Sequence, residues 1–176
     1  MKALIMCEGP NELAVIQMLL DNERLIFSED DLLGLRPYYA KQLNSAIKTE
    51  LNIYPGSDVC IFRIGDTLTD ELKIPSDYKG KIERVERYCT KPELEILLII
   101  SEDIWDEYNK DKSKLKPKEF AKMNVKCDRK RYDNSTKFYE EYFKKYGYDK
   151  LVWTIEEYKR LKKHKKGEHF LAELLK

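Results

Sequence analysis

Two acidic residues stand where a chain of this pattern could do chemistry. Glu8 follows the apolar run Ala3-Leu4-Ile5-Met6-Cys7, and Asp66 follows the run from Asp58 to Ile64, DVCIFRI, by way of Gly65. Short apolar runs bounded by turn residues suit strands covered on both faces. Each carboxylate then falls just past the carboxyl end of a strand, the edge where open α/β sheets bind ligands. There a carboxylate either takes part in chemistry or caps the helix that follows. Asp70 and Glu71 extend the second acidic turn, with a solvated first helical turn as the alternative. Glu95 lies in a stretch that is apolar over much of its circumference, with Lys91 one turn earlier as the ion-pair alternative. Cys7, Cys60, Cys89 and Cys127 form no C-x-x-C pair, and His164 and His169 are spaced wrongly for a shared helical metal site. Cys7 and Cys60, inside apolar runs, read as buried small hydrophobes.

The elements that would position these residues follow from pattern. Gly9-Pro10 breaks the first strand, and Leu13, Ile16, Gln17 and Leu20 then keep helical spacing, with Asn11 as the N-cap. Asp21 to Asp31 reads as acidic loop, Leu32 to Tyr39 as a second short strand, and Gln42 to Leu51 as a helix. Lys81 to Tyr88 reads as a short strand or turn. Pro92 fits the first turn of a helix over Glu93 to Trp105, packed on most sides. Ser135 to Tyr146 is an aromatic-rich helix ended by Gly147, whose Phe138, Tyr139, Tyr142, Phe143 and Tyr146 are read as core packing rather than base-stacking residues. Leu151-Val152-Trp153 reads as a last strand with Thr154 capping the next helix, and Phe170 to Leu175 as a small apolar helical patch.

The 176 residues fit one domain, with a core over 1–122 and a helical basic extension over 123–176. Charged residues make up 37%, yet the 33 basic and 32 acidic side chains leave a net charge of only +1, so overall charge names no partner. Local clusters do more. Lys110 to Lys122 carries six lysines, and Lys159, Arg160, Lys162, Lys163, Lys165 and Lys166 crowd a second segment. Either run is a solvated face or a contact for phosphates. With no membrane-length apolar run and no secretory pattern, the reading is a cytoplasmic protein.

Three stretches, CEGPNE (Cys7 to Glu12), IGDTLTDEL (Ile64 to Leu72) and TKPELEILLII (Thr90 to Ile100), together resemble the Toprim-like nuclease families. The first is similar to the E-G-x-x-E turn of Toprim domains, and the second falls where those domains carry D-x-D. The third is similar to the P-x-x-E-x-x-L stretch of small Toprim-like proteins of the OLD and RloB type. A lysine region, Lys116 to Lys122, follows as it does in those groups. Leu68 stands where the pattern has its second aspartate; Asp70 and Glu71 come two and three residues later.

The resemblance implies a Rossmannoid α/β fold with a mostly parallel central sheet flanked by helices, and a nuclease cutting DNA or RNA phosphodiesters with Mg²⁺ or Mn²⁺. It implies Glu8 as metal ligand or general base, Asp66 as the main metal ligand, and Glu12, Asp70 and Glu95 as the rest of the acidic cluster. Lys116 or Lys118 would neutralise a phosphate. It further implies a role in mobile-element or phage defence, a separate ATPase partner and room for a homo-oligomer. A Toprim-like domain without catalysis, acting as a binding or regulatory subunit, is the first alternative. A nucleotide-binding α/β protein is the second, though the chain has neither G-x-G-x-x-G nor a Walker-type loop.

Overall fold

The two apolar runs become neighbouring central strands of a parallel sheet. The computed structural model describes residues 1–66 and 69–176. In chain order its elements begin β1 (Lys2–Cys7), α1 (Pro10–Asp21), β2 (Tyr38–Tyr39), α2 (Ser45–Ile53), β3 (Val59–Gly65), α3 (Ser76–Lys79) and β4 (Ile82–Cys89). They continue with α4 (Ile96–Ser101), α5 (Trp105–Asp111), α6 (Pro117–Asn124), the hairpin β5 (Lys126–Cys127) and β6 (Lys130–Arg131), α7 (Thr136–Tyr146), α8 (Tyr148–Leu161) and β7 (His169–Phe170). The sheet runs β2-β1-β3-β4-β7, every neighbour parallel, with Lys2 opposite Val59 and Cys7 opposite Ile64. The fold is α/β and Rossmannoid.

Strand alternation sorts the core onto two faces. Ala3, Ile5, Cys7, Cys60, Phe62 and Ile64 join the larger cluster, with α1, α4, α7 and α8. Leu4, Met6, Val59 and Ile61 join the smaller one, against Leu43, Ile47 and Leu51 at α2. Each aliphatic side chain taken fully out of water contributes about 1.5–3 kcal/mol. β1 and β3 are therefore apolar on both faces because both faces are covered. β4 is different. β7 pairs with it only at Tyr88 and Cys89, and Glu83, Arg84 and Val85 of the remainder are exposed.

The segment beyond residue 122 is built into this arrangement. α7 packs on α1, α8 on α4, and β7 supplies the last strand. Phe138, Tyr139, Tyr142 and Phe143 are buried core residues, in line with their spacing; Tyr146, read with them as core, is instead exposed, because it is the last residue of α7. All four cysteines are free and buried. No helix among the described residues is long and apolar enough to cross a membrane.

Several local expectations are corrected. Gly9, not Asn11, is the N-cap of α1, because Pro10 occupies the first helical position with its fixed φ. Leu33 to Leu35 forms a 3₁₀ turn, leaving only Tyr38 and Tyr39 as β2. The helix read over Glu93 to Trp105 is two helices: Asp103 takes φ +59°, which ends α4 and lets α5 start at Trp105. The expected strand at Leu151-Val152-Trp153 lies inside α8. Leu151, Thr154, Ile155 and Tyr158 form its buried face, a 3.6-residue period invisible in three residues alone.

Candidate active site: an acidic cluster at the strand ends

From β1 the chain passes through α1 to β2 on one side of the sheet; from β3 it passes through α3 to β4 on the other. The connections therefore part between β1 and β3, the switch point where open α/β sheets form a ligand crevice. Glu8 is the first residue beyond β1, and Asp66 the first beyond β3. The register continues past the strand, with Glu8 N donating to Ile64 O at 2.8 Å, and Thr90 N donating to Gly65 O at 3.1 Å from the β4 side.

Glu12 sits in the first turn of α1 and is 8% exposed. Its carboxylate lies against Gly9: a Cβ there would come within 2.3 Å of Oε2. Glycine at that position thus makes room for the carboxylate rather than for an unusual backbone. Burial raises the Glu12 carboxyl above its ordinary range. Its own backbone N–H opposes the rise, Glu95 and Glu8 add to it, and Lys118 opposes it.

Asp66 is half-buried, and its carboxyl is pushed up to about 8, by burial first and then by Glu12, Glu95 and Glu93; a backbone N–H from Leu94 opposes the shift. Buried Thr90 places its hydroxyl 3.4 Å from Asp66 Oδ1. Glu95 is 3% exposed at the start of α4. It accepts a hydrogen bond from Tyr132 Oη at 2.7 Å and has Lys118 Nζ at 3.9 Å. Lys91, the ion-pair alternative for Glu95, instead pairs with Glu168. Glu93 accepts from the backbone N–H of Lys118 at 2.9 Å, so it caps α6 and ties that helix to the cluster. Glu8 has Lys41 at 3.7 Å.

Glu12 and Asp66 thus each feel the charge of Glu95, Glu12 also feels that of Glu8, and Lys118 lies beside Glu95. Lys116 is exposed at the α6 N-terminus, where its backbone N–H donates to Glu119 at 3.3 Å. Asp70 is exposed and lines a cleft with Arg63, Val85 and Arg87, and its backbone O accepts from Arg63 Nη1 at 2.6 Å. Leu68, in the D-x-D position, lies outside the described residues. Glu93, Thr90 and Tyr132 were not singled out from sequence. Glu93 reads from sequence only as the residue after Pro92 in a first helical turn, and nothing local marks Tyr132, which follows a basic run.

Two lysines stand among five carboxylates here. Such a site can hold a proton near neutral pH, or accept a hard divalent cation through oxygen ligands. Among the described residues no three acidic, histidine or cysteine side chains already form a metal cage. Comparison with family models, with curated proteins and with solved structures gives no match.

Proposed function

We propose that this chain is a Toprim-like, divalent-cation-dependent nuclease acting on nucleic-acid phosphodiesters, with Mg²⁺ or Mn²⁺ as the cation. The observation that carries the reading is the placement of Glu8 and Asp66 just past the neighbouring strands β1 and β3, with Glu12 and Glu95 buried beside them. Burial and the charges of Glu12, Glu95 and Glu93 push the Asp66 carboxyl up to about 8. Uncompensated negative charge at a switch point is relieved by a cation, and carboxylate oxygens are the donors Mg²⁺ takes. Asp66, Glu12 and Glu95, with Glu8, would hold the ion, which when bound supplies an activated water and stabilises the leaving oxygen.

The remaining roles belong to the chain. Tyr132 orients Glu95 through its 2.7 Å hydrogen bond. Thr90 steadies Asp66, and Lys118, rather than the outlying Lys116, offers a cation to a phosphate beside Glu95. A part in phage or mobile-element defence beside an ATPase rests on the sequence resemblance alone.

Cleavage of labelled DNA and RNA in Mg²⁺ and Mn²⁺ tests the proposal. Asp66→Asn and Glu95→Gln should each lose at least ~100-fold of activity, and Lys116→Gln should keep it. Cleavage that persists in both carboxylate variants overturns the reading. A second reading, a regulatory domain without catalysis, is favoured by Leu68 in the D-x-D position and by the lack of a ready metal cage among the described residues. Cation binding with no cleavage of any substrate would select it.

A further inference from the structure

The acidic cluster uses only one lysine of the two basic runs. Part of the rest meets elsewhere. The end of α5 and the residues following α8 enclose a cleft of about 530 Å³, lined among others by Pro92, Trp105, Asn109, Lys112, Lys162 and Lys163. Lys112 comes from the first run and Lys162 and Lys163 from the second, some fifty residues on. Lys162 Nζ lies 5.6 Å from the centroid of the half-buried Trp105 ring. Among the described residues none of these three lysines pairs with a carboxylate. Burial and the facing Lys112 hold the Lys162 ammonium below its ordinary range, a like-charge arrangement that an anion relieves.

Charge also gives the cleft a direction. Beyond Trp105 the next hollow is lined by Asp103, Asp106 and Glu157, the last paired with Arg160. On the lysine side the cleft reaches Pro92, the residue before Glu93 of the acidic cluster.

We infer that this cleft binds single-stranded nucleic acid, its phosphates on Lys112, Lys162 and Lys163 and a base against Trp105. An aromatic floor with unpaired lysines along it is the chemistry by which single strands are held without sequence preference. The inference deepens the nuclease reading by giving the substrate's path, yet the binding itself needs neither cation nor cleavage.

The test measures binding of fluorescein-labelled single-stranded DNA and RNA in EDTA, across a salt series. Lys112→Gln/Lys162→Gln/Lys163→Gln should raise Kd at least ~10-fold at about 0.1 M salt and reduce the slope of log K against log salt by about 2, at ~0.7 per lost contact. A control of equal charge, Lys48→Gln/Lys73→Gln/Lys79→Gln, lies on and beside α2 and α3 and should change neither. In a Trp153→Phe background Trp105 is the only tryptophan, and its fluorescence should be quenched by the oligonucleotide. Absence of binding, equal losses in both triple variants, or unquenched Trp105 overturns the inference. Binding that behaves as stated in a protein that cuts nothing leaves the cleft standing and removes the nuclease. Cleavage and binding unaffected by the cleft substitutions do the reverse.

Discussion

Asp66 carries the sharpest electrostatic conflict in the cluster, and its consequence for pH follows from linkage. Its folded carboxyl titrates near 8 against an ordinary 3.8, so between those values the native chain holds a proton that the unfolded chain has released. Stability from this group is complete below about pH 4 and is lost as pH rises through about 8. In EDTA, Asp66→Asn should therefore raise Tm at pH 9 by ~2–4 °C for each kcal/mol of repulsion removed, and leave Tm at pH 4 unchanged. Equal Tm differences at both pH values would contradict this. Tyr132→Phe removes the donor to the buried Glu95 carboxylate and should cost about 1–3 kcal/mol in denaturant unfolding. Gly9→Ala forces the Glu12 carboxylate from its seat. It should weaken Mn²⁺ affinity, read by calorimetry, while α1 stays intact because the Gly9 backbone is extended, with φ −129°.

At the scale of elements, legibility in the sequence tracked how many residues share one signal. β1 and β3 were readable because both faces of each strand are buried, and α7 because four aromatics repeat at helical spacing between a serine and a glycine. Ser135 Oγ accepts from Phe138 N at 3.2 Å, so Ser135→Ala should cost about 1 kcal/mol of stability by thermal or urea unfolding. Gly147 holds φ +92° between α7 and α8, a conformation no β-branched residue takes readily. The break between α4 and α5 was not readable, because it depends on one aspartate, just past a strongly apolar run, taking a left-handed conformation. The site divided likewise. Glu8, Asp66 and Glu12 were legible because they sit at strand ends or in the turn that follows one. Glu93, Thr90 and Tyr132 were not, because their roles arise from a long-range meeting of α4, α6 and the β6–α7 segment.

For the whole molecule, a cation at the switch point would couple binding to folding. Mg²⁺ or Mn²⁺ at 100 times its Kd stabilises the native state by about 2.7 kcal/mol. At pH 7.5 this should appear as a rise in Tm and as proton release in calorimetry, since the ion displaces the proton on Asp66. Asp66→Asn should abolish the proton release. A Tm rise of the same size in Asp66→Asn would place the ion elsewhere.

The short pairing of β7 with β4 has a consequence for how copies of the chain behave together. Most of β4 presents an open sheet border, and Glu83, Arg84, Glu86 and Arg87 occupy it. Arg84 already pairs with Glu86 at 2.8 Å and Glu83 at 3.3 Å. A second molecule adding a strand there would have to strip water from charges already neutralised within one copy, so the border resists amyloid-like stacking. Replacing Glu83, Arg84 and Glu86 with threonine or valine should turn it into a growth edge, seen as concentration-dependent light scattering in a protein whose monomer still folds.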